Sequence, residues 1–181
     1  MFRRLRRPGL GRRIINAGPA NELIRANQLL AAGQPEQAAI LFAQLAEQMK
    51  SLGRPRQAAN LHAQAAHAWV SAGAEGRALN QARLALDTFT SRGMIISAAE
   101  FKARFAHHLR EAKLQAAASA FEQETDLPAP PSPAATPEPA RGRLPAVCPQ
   151  CGAPVRSDSV EWIDKQSAEC DFCSATIQTL D

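Results

Sequence analysis

The chain has 181 residues, 45% of them hydrophobic, with 13 Pro, four Cys, no Tyr and a formal net charge of +4. A single core takes roughly 100 to 150 residues, so this length makes one domain, or one domain with a small satellite, and excludes a large multidomain enzyme. No run of about 18 apolar residues occurs, so no membrane-spanning helix is predicted. The opening MFRRLRRPGLGRR lacks the apolar stretch of a secretion signal, so a cytoplasmic protein is expected.

Residues 1–18 read as a basic flexible tail containing Arg3, Arg4, Arg6, Arg7, Arg12 and Arg13 and no acidic residue. Residues 21–114 are positive by four, 115–147 negative by two and 148–181 negative by four. Electrostatic arguments therefore hold only segment by segment. Six arginines can neutralise several phosphates, which makes a nucleic-acid-associated regulator the alternative to a pure protein scaffold. Phe2, Leu5, Leu10, Ile14 and Ile15 among the arginines give residues 1–15 a weaker case for contact with an anionic membrane surface, because Pro8, Gly9 and Gly11 interrupt a helix there.

The middle of the chain repeats. Gly33, Gly53, Gly73 and Gly93 stand twenty residues apart. Five positions after each glycine comes Ala38, Ala58, Ala78 or Ala98, and sixteen after it a large apolar residue, Met49, Trp69, Phe89 or Leu109. Intermediate apolar positions fall at eight (Leu41, Leu61, Phe101, with Gln81 the exception) and twelve (Leu45, Ala65, Ala85, Phe105). Steps of three and four describe one face of an α-helix, small near its start and bulky near its end. Each glycine suits the left-handed residue that closes a helix, and Pro35 and Pro55 suit the first turn of the next. The predicted helices are 19–32, 35–52, 55–72, 75–92 and 95–122, joined so tightly that neighbours run antiparallel and pair into hairpins with a period of about 40 residues.

The segments AAGQPEQAAILFAQLAEQM and SLGRPRQAANLHAQAAHAW resemble tetratricopeptide repeats in the looser, TPR-like sense. The resemblance implies a mainly α fold of about five helices over 19–122, stacked as hairpins, with a groove for an unidentified protein partner. A plain bundle of four or five helices would need the same apolar stripe. Trp69, Phe89, Phe101 and Phe105 are expected in the core. His62, His67, His107 and His108 show no i, i+4 pairing and are expected to be ordinary helix residues.

Seven of the thirteen prolines fall within 125–147. Residues 123–146 are accordingly expected to be a Pro-rich linker between two independently folded units.

All four cysteines lie beyond it, as Cys148-Pro149-Gln150-Cys151 and Cys170-Asp171-Phe172-Cys173. Two residues between cysteines allow a tight knuckle that aims both thiolates at one ion, and two knuckles complete a four-sulfur shell. The alternatives are disulfides, disfavoured without a secretion signal, and thioredoxin-like redox pairs, which want a βαβ setting. The segment VCPQCGAPVRSDSVEWIDKQSAECDFCSATIQ resembles a zinc ribbon, which implies a small β module at 147–181 with Zn²⁺ held by Cys148, Cys151, Cys170 and Cys173. Gly152 fits the left-handed residue after the first pair, whereas Ser174 stands in its place after the second, so that knuckle is expected to be strained or differently turned. Short strands are predicted around 160–163 and 176–180, with Trp162 over the metal site. Rubredoxin-like iron, and hence electron transfer, uses the same ligands.

A filled four-sulfur shell leaves no position for water or substrate, and a unit of about 35 residues needs the ion to stay folded. The expected function is a non-enzymatic, zinc-binding interaction scaffold.

Overall fold

The computed structural model describes residues 17–124, 126–128, 142–157 and 160–180. Six helices follow one another: α1 (Ala17–Ala31), α2 (Pro35–Ser51), α3 (Pro55–Ser71), α4 (Glu75–Ser91), α5 (Ile95–Glu111) and α6 (Gln115–Gln123). Three short strands follow, β1 (Glu161–Trp162), β2 (Ser167–Glu169) and β3 (Thr176–Gln178), as an antiparallel sheet in that order. Residues 1–16 of the basic tail and most of the Pro-rich stretch lie outside the described residues, and Ala17 and Gly18 begin α1.

One turn, repeated, builds the helical array. Gly33, Gly53, Gly73 and Gly93 all take φ between 69° and 73°. At each, the glycine N–H donates three residues back and the next N–H donates five back, as in Gly73 to Val70 (3.0 Å) and Ala74 to Trp69 (2.9 Å). These paired bonds satisfy carbonyls that a helix end leaves open, and only glycine enters this conformation without a steric penalty. Pro35 and Pro55 occupy the first helical turn, where the absent N–H costs nothing.

The helix expected over 95–122 is instead two. Its break falls twenty residues after Gly93, at Lys113, which takes φ 64° and makes the same bonds, Lys113 N–H to Arg110 and Leu114 N–H to Leu109. The repeat thus runs one unit further, with Ala118 and Phe121 fully buried at the five and eight positions.

The stripe packs as the spacing requires. Ala38, Ala58, Ala78, Ala98 and Ala118 are buried where helices approach closely, and Met49, Trp69, Phe89 and Leu109 are buried at the far ends. Phe101, Phe105 and Phe121 form an aromatic cluster, the last two meeting edge to face with centroids 4.9 Å apart. Stacking of successive hairpins shows in three side-chain pairs, each 41 residues apart and each skipping one helix: Glu36 with Arg77, His67 with His108, and Arg83 with Glu124. Among the described residues no helix is long and apolar enough to cross a membrane.

In the sheet, Trp162 pairs with Ala168 and Ala168 with Ile177. Residues 142–147 add two further bridges, Arg143 to Leu180 and Val147 to Pro154. The sheet module is packed against the array, and Cys148, Cys151, Ala168 and Ile177 belong to one buried cluster with the helical core. Polar contacts from α1 and α3, described below, join the module to the array.

Candidate metal centre

Two turns of the same shape carry the four cysteines. In the first, Gly152 N–H donates to the Cys148 carbonyl (2.8 Å) and Cys148 N–H to the Ala153 carbonyl (2.8 Å). In the second, Ser174 N–H donates to Cys170 (2.9 Å) and Cys170 N–H to Ala175 (2.9 Å). Gly152 has φ 70° and Ser174 φ 59°. The second knuckle is therefore strained as expected but is not differently turned: serine takes the glycine conformation, at a cost of roughly 1–2 kcal/mol. Its hydroxyl accepts a hydrogen bond from the Gln57 side-chain amide of α3, a contact that glycine could not make.

The knuckles face each other and bring the Sγ atoms of Cys148, Cys151, Cys170 and Cys173 within 4.8 Å of one another. Cys148 lies 3.8 Å from Cys173, and Cys151 3.8 Å from Cys170. A disulfide would bring two sulfurs to about 2.05 Å. Four sulfurs arranged tetrahedrally at about 2.3 Å from an ion lie about 3.8 Å apart, so the donor set fits a four-coordinate soft-ligand site that could hold a metal ion. Three of the four cysteines are buried and the fourth, Cys173, is half-buried. Hydrogen bonds from Cys151 and Cys170 stabilise the Cys173 thiolate and bring its pKa down to about 4. Hydrogen bonding to Cys170 and Cys173, with burial, keeps the Cys151 thiol protonated.

Helices α1 and α3 reach both knuckles. Asn27 Nδ2 donates to the Cys151 carbonyl at 3.0 Å. Asn27 also passes closely enough that a Cβ on Gly152 would lie 3.8 Å from its own. Arg56 forks between Glu161 and Asp171, 2.7 Å from each. Asn60 Nδ2 donates to the Asp171 carbonyl at 3.3 Å. Burial pushes the Asp171 carboxyl up to about 6 against the pull of Arg56. Gln57 is buried, and its Oε1 has no hydrogen-bond partner among the described residues. Asn27, Arg56, Gln57 and Asn60 escaped sequence reasoning because nothing in their composition or spacing distinguishes them from other polar residues of an amphipathic helix.

Trp162, expected over the sulfurs, is half-buried, and its indole N–H donates to the Ser157 carbonyl at 3.0 Å. Phe89, Phe101, Phe105 and Trp69 are in the core as expected. His62 is buried and bonded to Gln81 through Nδ1 at 2.8 Å. His67 and His108 meet at 2.8 Å through their Nδ1 atoms, a pairing that a search for i, i+4 spacing overlooks and the two-hairpin period supplies. They line a groove of about 450 Å³ between α3, α5 and the cysteine module, with Arg104 on one wall and Pro154, Arg156 and Phe172 on the other. The arginines of residues 1–15 lie outside the described residues.

In comparison with known protein families, the model for the soluble NSF attachment protein, SNAP, matches residues 20–130. No curated protein matches the chain, and no solved structure matches it.

Proposed function

Because the chain belongs to the family of soluble NSF attachment proteins, a helical family associated with protein–protein interaction, we propose that it is a non-enzymatic interaction adaptor whose helical array carries a zinc-stabilised contact module. The observation that carries this reading is the convergence of four thiols within 4.8 Å on two matched knuckles. Cys148, Cys151, Cys170 and Cys173 would hold the ion. Zinc suits a closed four-sulfur shell, and what it supplies is cohesion: a module of this size buries too little apolar surface to stay ordered by itself. With all four positions filled by protein, the ion has no site at which to activate water, which favours a structural role over a catalytic one. The array of hairpins would present its surfaces, including the groove beside His67 and His108, to a protein partner, with residues 123–146 tethering the module near them.

Elemental analysis of the purified full chain tests the metal assignment. One zinc per chain is expected, with loss in Cys148→Ser and Cys173→Ser. Iron would be visible as colour in the oxidised protein. Affinity capture with the full chain, repeated with the metal-free Cys148→Ser variant, tests the adaptor reading: a captured protein whose binding survives dilution and competes with purified helical array supports it, and turnover of a small substrate would replace it.

A further inference from the structure

Four hydrogen bonds from the helical array end on knuckle residues. Asn27 of α1 holds the Cys151 carbonyl, and on α3 Arg56 holds the Asp171 carboxylate, Asn60 its carbonyl and Gln57 the Ser174 hydroxyl. These acceptors are a ligand's own carbonyl, the residue between two ligands and the left-handed residue that follows the last ligand. Their positions are set by how tightly each knuckle is wound, and four sulfurs closing on one ion are what wind it.

Charge works in the same direction. Four thiolates around a divalent cation leave the centre about two charges negative. The Arg56 guanidinium brings a positive charge to the second knuckle, 2.7 Å from Asp171, which lies between two of the ligands, and 2.7 Å from Glu161. Ser174 points the same way: its positive φ is held by the bond from its N–H to Cys170 and by the Gln57 amide on its hydroxyl, one inside the knuckle and one from the array.

We propose that α1 and α3 form the outer support of the four-sulfur centre, so that ion retention and docking of the module on the array reinforce each other and loss of the ion releases the module. The inference rests on the metal reading above and adds its regulation. Two events that select the same knuckle conformation must favour each other by the same factor in either direction. Partners that orient metal ligands from outside typically account for 10- to 100-fold in metal affinity. The functional consequence lies in the groove of about 450 Å³: Pro154, Arg156 and Phe172 make one of its walls, and they leave with the module, opening the α3 and α5 face on which His67 and His108 lie. The occupancy of the centre thereby sets which surface of the array a partner meets.

The test uses the full zinc-loaded chain. Release of zinc to excess 4-(2-pyridylazo)resorcinol is followed by absorbance for wild type, Arg56→Gln and Asn27→Ala, with Arg83→Gln as a control that breaks an ion pair remote from the module. Hydrogen exchange of residues 55–64 is measured before and after chelation, with helical circular dichroism recorded alongside. Expected are release at least 10-fold faster from Arg56→Gln and Asn27→Ala than from wild type or the control, and faster exchange in 55–64 after chelation with the helical signal kept. Equal release from all four proteins, or unchanged exchange in 55–64 when zinc is gone, overturns the linkage while leaving the metal centre standing. A wild-type chain that binds no zinc overturns the metal reading itself, and the linkage with it.

Discussion

His67 Nδ1 lies 2.8 Å from His108 Nδ1, and the two residues are 41 positions apart in the chain. At that distance one imidazole donates and the other accepts, so the pair shares a single proton between facing nitrogens. The separation is two helices and their turns, the same that brings Glu36 to Arg77 and Arg83 to Glu124. Successive hairpins are therefore stacked in register, and a ladder of polar pairs records the stacking on the surface as the apolar stripe does inside.

Burial first, then the charges of His108, Arg104 and Arg156, push the His67 imidazole down to about 4 from its ordinary 6.5. With the folded value below the unfolded one, the unfolded chain takes up a proton that the folded chain refuses. Stability is full above pH 6.5 and falls as the pH drops toward 4, by up to about 3 kcal/mol, with no further loss from this residue below that. Urea unfolding of wild type and His67→Phe at pH 7.5, 5.5 and 4.5 should show wild type losing more stability than the variant as the pH falls. Parallel curves would show that His67 contributes nothing to acid sensitivity.

The turn at Lys113 makes the bonds of the glycine turns with φ 64° and without a glycine. Lys113→Gly should raise stability by about 1 kcal/mol, and Gly73→Ala should lower it by about the same or somewhat more. Among the described residues beyond its chain neighbours, nothing lies within 4 Å of where a Cβ at Gly73 would stand, so the penalty there is conformational and not a clash. Thermal unfolding of the two variants checks both signs together.

Gly142 presents the opposite case. Its φ is not left-handed, but a Cβ there would come within 2.6 Å of the Thr179 side chain, where residues 142–143 pair with the end of the sheet. Gly142→Ala should loosen that edge and speed amide exchange at Leu180, whose N–H donates to Arg143 at 2.7 Å. The exchange of α2, remote from this edge, should be unchanged.

Arg83 grips Glu124 through Nε and Nη2, at 2.8 and 2.5 Å, and ties α4 to the end of α6. Both side chains are substantially exposed, so solvent screening limits the effect: Arg83→Gln should cost at most about 1 kcal/mol, and less in high salt. A loss well beyond this would mean that the last helix relies on that pair to stay docked.

Much of the helical array is legible in the chain because one turn chemistry recurs at a fixed interval, and glycine is conspicuous. The break between α5 and α6 is harder to read, since Lys113 satisfies the spacing without the residue type. The strands β1 and β3 announce themselves through Trp162, Thr176 and Ile177. Strand β2, Ser-Ala-Glu, has no β-branched residue and exists because it is held on both sides by its neighbours. The cysteine pairs stand out by spacing alone. What holds them against the array does not: Asn27 and Cys151 are 124 residues apart, Arg56 and Asp171 are 115 apart, and such pairings arise from tertiary packing that no local pattern encodes.

X-ray absorption at the metal edge of the purified full chain bears most directly on the four-sulfur centre. A single shell of four sulfur scatterers at about 2.3 Å is expected, with no lighter ligand. A shell containing oxygen or nitrogen, or no metal at all in a chain whose residues 142–180 remain protected from exchange, would contradict it.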